Sequence, residues 1–259
     1  MIEEPYRWVE AVANRREYIE TQLAPGASIA AVSCADGIVL VTVGRSRQKL
    51  FEIYDRIAMG AIGHPGDIER LRMVAIELAS AEGFTRSTAD VSLRRLAYYS
   101  LSPLLKAAFE QVYGAPYLAR LLFAEIGSTA DEDLFLRLEY DGAIATNGEA
   151  VGSARQFFGA LSGTRVATQL MESFLQNEQD STAALSRALA IAVDAAIIGN
   201  SALSEAGIRQ LPEKTAIKDD RRKQLRDDSI EAVLLERRAT VAIRYRCVTG
   251  DELKSAGAL

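Results

Sequence analysis

The sequence predicts an α+β fold: a four-layer αββα sandwich of two antiparallel sheets flanked by helices, preceded by an N-terminal helix. Three observations carry this. The elements come in blocks (helix, two strand pairs, two helices, strands, two helices, strand pair) and not in the βα alternation of a doubly wound sheet. The run Ser28–Cys34 is apolar on both faces, with Ile29, Ala31 and Ser33 on one side and Ala30, Val32 and Cys34 on the other, so a layer must cover each side. Asp36-Gly37 then separates it from the apolar run Ile38–Val43, the signature of a tight antiparallel hairpin.

Each element follows from local pattern. Tyr6–Leu23 reads as an amphipathic helix with Trp8, Val9, Val12, Ile19 and Leu23 on one face, entered at Pro5 and closed by Pro25-Gly26. Third and fourth strands fall at Leu50–Ile53 and Arg56–Ile62. A helix starts at His64-Pro65-Gly66-Asp67 with His64 at its cap or on the surface, presents Ile68, Leu71, Ala75, Leu78 and Ala79, and ends near Ala81 at Gly83. A second helix spans Ala89–Tyr113 with a kink or break at Pro103. Strands follow at Tyr117–Glu125 and Leu134–Tyr140, a turn at Asp141-Gly142, and short strands at Ala143–Thr146 and Gln156–Leu161. Helices at Thr164–Leu175 and Thr182–Ile198 bury Leu170, Phe174, Leu185, Leu189, Ala192 and Ala196. The charged run Lys214–Asp228 reads as a solvated loop. A final hairpin, Ile230–Glu236 and Thr240–Cys247, leads to a short helix with a capping box at Thr249 and Glu252. With no repeat and no linker, residues 1–259 read as a single domain, 27–259 forming the sandwich.

Composition excludes several classes. The chain of 259 residues is 49% apolar and 25% charged, with a net charge of −5 and a pI near 5.2, which argues against a nucleic-acid binder. The most apolar stretch, Ala183–Leu203, is interrupted by Arg187 and Asp194, and Glu3, Glu4 and Glu10 occupy the place of a secretory signal, so a cytoplasmic protein with no membrane partner is expected. The two cysteines, Cys34 and Cys247, lie in apolar strand-like runs and read as buried free thiols, a disulfide or reactive thiol being the alternatives. One histidine supports neither a structural zinc site nor a Ser-His-Asp triad, and no glycine-rich phosphate loop follows a strand. No cofactor or metal is called for.

The chemistry left open is an N-terminal nucleophile, a Thr, Ser or Cys whose own α-amine serves as base. Here the run 25–55 resembles the first hairpin and lysine of the proteasome family. Its active β subunits open the first strand with a catalytic Thr, end the second with an Asp and begin the third with a Lys. The matching positions are Ala27, Val43 and Lys49. A methyl group cannot attack a carbonyl, and Ser28 points to the other face of the strand. Autocatalytic peptidase activity is therefore not expected. The silent α subunits match better: Glu17 and Tyr18 precede Gly26 by nine and eight residues, and the likeness continues through Lys49-Leu50, Ile53-Tyr54-Asp55-Arg56, Gly63, Tyr140-Asp141-Gly142 and Ala242–Glu252. The chain is similar above all to the bacterial type of 20S proteasome α subunit, as in actinobacteria, although the Tyr-Asp-Arg and Pro-Asp-Gly-Arg residues of archaeal α subunits are absent.

That resemblance implies a non-catalytic member of the N-terminal-nucleophile hydrolase fold. Seven copies would form each outer ring, stack on β subunits that carry proteolysis, and admit unfolded substrates through the pore. Met1, Ile2, Glu3, Glu4, Pro5 and Tyr6 would belong to the gate and N-terminal helix, within a gate-and-helix segment of residues 1–26. Lys49 would take the C-terminal carboxylate of a ring-shaped ATPase activator, in a pocket lined by Gly26 and Gly63 and steadied by Glu17. Without the family spacing, Lys49 reads as a strand-edge lysine and Glu17 as a helix-surface acid. Two other readings stay open: a divergent self-compartmentalising hydrolase of the same fold, and a ring-forming scaffold with no protease partner.

Overall fold

The computed structural model describes residues 5–45, 47–111, 114–146, 156–204, 210–226, 228–239 and 243–258, and the side chains from residue 9 onward. Met1–Glu4, the side chain of Tyr6, and residues 240–242 of the last hairpin lie outside that set. Two antiparallel five-stranded sheets face each other. One has the order β10-β9-β2-β1-β8, built from β1 (Ile29–Ser33), β2 (Gly37–Gly44), β8 (Phe158–Leu161), β9 (Ser229–Glu236) and β10 (Tyr245–Cys247). The other has the order β3-β4-β5-β6-β7, from β3 (Leu50–Tyr54), β4 (Ile57–Gly63), β5 (Ala119–Glu125), β6 (Leu134–Leu138) and β7 (Ile144–Thr146). Helix α1 (Pro5–Leu23) stands ahead; α2 (Pro65–Thr85), α3 (Leu93–Leu96) and α4 (Ser102–Glu110) cover one sheet; α5 (Arg165–Glu178), α6 (Leu185–Ser204), α7 (Lys214–Gln224) and α8 (Gly250–Ser255) lie on the side of the other.

Three apolar cores separate the four layers, as the two-faced first strand requires. Ile29 and Ala31 of β1 meet Ile62, Leu122, Ala124 and Phe135 between the sheets, while Ala30, Val32 and Cys34 meet Met171, Leu189 and Ala192 of α5 and α6 on the outside. A third core joins Met59, Ala61, Leu121 and Phe123 to Leu71, Ala75, Leu101 and Leu105. Helix α6 is the one described helix long and apolar enough to cross a membrane; its buried residues, among them Ile191, Val193, Ala195 and Ile197, pack in this protein's own core.

A polar lock ties the sheets together at the hairpin end. Asp133, just ahead of β6, accepts Ser33 Oγ of β1 at 2.5 Å, the Gly127 N–H at 2.9 Å, and two bonds from the Arg237 guanidinium at 2.7 and 2.8 Å. Both side chains of the ion pair are sealed from water, Asp133 at 0% and Arg237 at 8% exposure. Such a charge is tolerable only because every oxygen has a donor.

Several expectations are corrected. The charged run Lys214–Asp228 is not a loop: residues 214–224 are helical, because Ile217 is buried and Arg221, Asp220 and Gln224 all find partners on α6. Gly83 does not end α2, which continues to Thr85; a side chain there would begin 2.1 Å from Tyr54 Oη, so the glycine makes room for β3. The expected break at Pro103 takes the form of a π-helical turn over Ala97–Leu101, closed by a bond from the Ser102 N–H to the Ala97 carbonyl. Cys247 is exposed, unlike Cys34, because β10 is an edge strand. Val9 and Leu78, assigned to buried stripes, are exposed, Val9 at 67%. The capping box at Thr249 and Glu252 and the His64 cap on α2 are present as expected.

Candidate docking cleft

The end of the sandwich opposite the hairpin turn gathers the start of β1, the end of β2, the start of β3 and the end of β4. A side chain on Gly44 would begin 3.2 Å from Ala27 Cβ and 3.7 Å from Lys49 Nζ, so the lysine does reach the place where the first strand opens. Everything around Ala27 is already engaged. Asn200 of α6 accepts the Ser28 N–H at 2.8 Å and donates to the Val43 carbonyl at 3.0 Å and to Gln224 Oε1 at 3.2 Å. Ser28 is fully buried, its hydroxyl shared with Ser162 Oγ at 2.9 Å, and its carbonyl accepts Thr42 Oγ1. Val43 lies in the outer core. A buried hydroxyl committed to another hydroxyl, beside a methyl group, offers no nucleophile.

Lys49 instead opens onto a cleft of about 440 Å³ lined by Thr42, Arg47, Glu231, Val233, Tyr245 and Cys247, among others. Glu231 of β9 anchors the lysine's backbone, its two oxygens accepting the Lys49 and Leu50 N–H groups at 2.9 and 3.0 Å. The Tyr245 hydroxyl donates to the Leu50 carbonyl at 3.0 Å, so the polar edge of β3 is closed off here by the chain itself. Burial lowers the Lys49 ammonium's pKa, against the opposing pull of Glu231 and Asp228. The same burial raises Glu231, which the two backbone N–H groups and Lys49 hold back. Among the described residues, no carboxylate stands within ion-pair distance of the ammonium. What the geometry offers is a half-desolvated cation facing a cleft, a ready partner for an incoming carboxylate.

The other expected residues fall differently. Gly26 and Gly63 reach the same end, but their open faces are filled from within: a side chain on Gly26 would meet Ile62 Cγ2 at 2.0 Å, and one on Gly63 the Leu118 carbonyl at 2.0 Å, with a φ of +139° that only glycine takes readily. Glu17 is an exposed acid on α1, and within the chain the acids that act on Lys49 are Glu231 and Asp228. Three residues on, Glu20 is the acid that turns into the body. It accepts Arg120 at 2.5 Å and Tyr140 Oη at 2.8 Å. Arg120 is 2% exposed and also binds Glu139 at 2.7 Å and the Gly163 carbonyl at 2.8 Å. Arg15 and Arg16 complete the attachment of α1, reaching the Phe109 and Gln111 carbonyls and Asp141. Burial and the Glu20 bond both push the Tyr140 phenol upward. Sequence offered one signal for this cluster, a lone arginine inside the apolar strand ARLLFAE; nothing in it pointed to Glu20, Asn200 or Glu231.

A family model described as Proteasome subunit matches residues 24–200. Among curated proteins, "Proteasome subunit alpha" of Acidothermus cellulolyticus is 32% identical over 187 residues, 71% of this chain and 75% of that protein. Its counterpart in Streptomyces scabiei is 33% identical over 191 residues (72% and 71%), and that in a Nocardioides strain 31% over 236 residues (88% and 87%). The family match begins close to the point where the first strand opens on Ala27, and the relatives carry the name of the subunit that does no chemistry. This chain belongs to the proteasome subunit family, on its non-catalytic α side.

Proposed function

We propose that the chain is an α-ring subunit of a bacterial 20S proteasome: seven copies form the outer ring, stack on β subunits that cut the substrate, restrict entry through a gate formed by the residues ahead of and opening α1, and receive the C-termini of a ring-shaped ATPase at Lys49. It would work in the cytoplasm on unfolded proteins passing the pore. The observation that carries the reading is the pairing of an empty nucleophile position at Ala27 with a lysine that still reaches that place and faces a cleft. The ion cluster of Glu20 and Arg120 supports it further, since a segment bonded into the body is built to stay.

Electron microscopy of the chain co-expressed with a β-type subunit of the same organism tests the assembly: stacked seven-membered rings are expected, and their failure to form refutes it. Lys49→Ala should leave assembly intact and weaken activator docking about 30-fold, from roughly 2 kcal/mol for a half-buried charge pair. Unchanged stimulation by the ATPase rejects the assignment of Lys49. Intact mass separates the hydrolase alternative, because loss of the segment ahead of Ala27 with exposure of a nucleophile would establish self-processing.

A further inference from the structure

Helix α7 sorts its charges by face. On the inner side Ile217 is buried, Arg221 pairs with Asp194 of α6 and bonds the Gly257 carbonyl, and Asp220 accepts Ser201 Oγ. Among the described residues, Lys214, Lys218, Arg222 and Lys223 stand on the outer side, with Arg226 just beyond the helix, all exposed, against the exposed acids Asp219 and, at the cap position, Glu213. The pairs they make are thin: Arg222 and Asp219 are 3.8 Å apart at 80% and 77% exposure, and Lys214 reaches Glu178 while 84% exposed. Helix stability does not account for the pattern. Arg222 and Lys223 suit the negative C-terminal end, but Lys214 and Lys218 stand in the first two turns, where the dipole favours anions, and the first turn holds no acid beyond Glu213 at the cap position. A cluster of this sign is also unexpected on a chain whose net charge is −5.

The strip leads into the cleft. Gln224, in the last turn of α7, is bonded to Asn200, which holds the Val43 carbonyl and the Ser28 N–H. The chain then reaches Asp228, which pairs with Arg45 at 3.1 Å, and Ser229, which lines the cleft together with the exposed Arg47. The end of α7 that carries Lys223, with Arg226 beyond it, therefore leads along the chain to the rim of the Lys49 cleft, where Asp228 is paired with Arg45.

We propose that the outer face of α7 extends the Lys49 cleft as a cationic strip that takes an acidic segment lying upstream of the partner's C-terminal carboxylate. The inference rests on the docking reading above. Exposed, screened charges of this kind raise the encounter rate and select among partners more than they add affinity, so the effect is one of selectivity and falls with salt.

The test uses the chain assembled with its β subunit and three fluorescein-labelled peptides read by anisotropy. One has an acidic upstream segment and a free C-terminal carboxylate, the second replaces the acids by Ser and Asn, and the third is the acidic peptide amidated. The acidic peptide is expected to bind about tenfold tighter than the neutral one at about 50 mM salt, and the gap to close at about 300 mM. Lys218→Glu with Lys223→Glu should remove the gap and leave the neutral peptide's affinity unchanged, which also shows that the cleft has kept its fold. Equal binding of the two peptides, or a gap that survives the charge reversal, overturns the proposal. Amidation judges the other reading: if it leaves affinity unchanged, Lys49 is not the carboxylate site, whereas the strip is still decided by the acidic–neutral comparison. A single-stranded oligonucleotide that competes as well as the acidic peptide overturns the assignment to a protein segment.

Discussion

Removing the Asp133 carboxylate should destabilise the fold more than almost any other single change outside the apolar cores. Asp133→Ala deletes two guanidinium bonds, the Ser33 bond and the Gly127 N–H bond at once. It also strands Arg237, whose side chain is 8% exposed, without its counter-charge. Leaving a buried charge without its partner costs about 3–5 kcal/mol. With about 2–4 °C per kcal/mol for a domain of this size, the melting temperature should fall by about 10 °C. Urea unfolding of the chain followed by circular dichroism gives the free energy directly. Pairing Asp133→Leu with Arg237→Met removes the stranded charge, so the double variant should recover most of the loss and lie within about 2 kcal/mol of the parent. A loss below about 1 kcal/mol for Asp133→Ala, or a double variant as unstable as the two single losses summed, would refute the account.

Other outcomes follow from single contacts. Gly83→Ala places a methyl 2.1 Å from Tyr54 Oη, costing about 1–3 kcal/mol as overpacking; Tyr54→Phe in the same chain should return part of it in thermal melts, and no relief would mean the helix itself is at fault. Glu252 is held down to about 2 by its hydrogen bonds to Arg246 and then by the Thr249 N–H, against an ordinary 4.5. A depressed carboxylate contributes stability that is present above about pH 4.5 and drains as pH falls toward 2. The urea midpoints of parent and Glu252→Gln should therefore differ at pH 6 and draw together as pH falls toward and below about 2; a constant difference contradicts the linkage. Thr249→Ala removes the cap of α8 and should cost about 1 kcal/mol in the same titration, a smaller effect than that of Asp133→Ala.

The sandwich was legible because its signals are local and periodic. A strand apolar at every position needs cover on both sides, and β1 has it; the alternation fixes which of its residues meet α6 and which meet β4 and β5. Capping residues such as His64 and Thr249 act within one turn and read directly from spacing. Partnerships across the chain did not read. Glu231 lies 182 residues from the backbone it holds, and Asn200 172 from Ser28, distances at which no pattern in a single sequence links one polar side chain to another. The same holds for Glu17 against Glu20: both are acids on one helix, and only the position of Arg120 decides which of them turns inward. Helix α7 was misread for a related reason, since Ile217 alone carries its apolar face and the rest of its anchoring is ionic. Gly83 looked like punctuation because a glycine that ends a helix and one that admits a neighbour are identical in sequence.

The attachment of α1 also bears on how this lineage is able to change. A leader made to be shed must leave a sound surface behind when it goes. Cutting ahead of Ala27 would carry Glu20 away and leave Arg120, nearly sealed inside the body, to Glu139 and the Ser162 and Gly163 carbonyls, while Tyr140 would lose the acceptor of its hydroxyl. Placing threonine at position 27 would thus not be enough to make a protease by self-cleavage. The body would first have to give up an arginine whose charge now depends on the very segment that has to leave, so the two changes obstruct each other, and the silent state is held in place by electrostatics as much as by the missing hydroxyl.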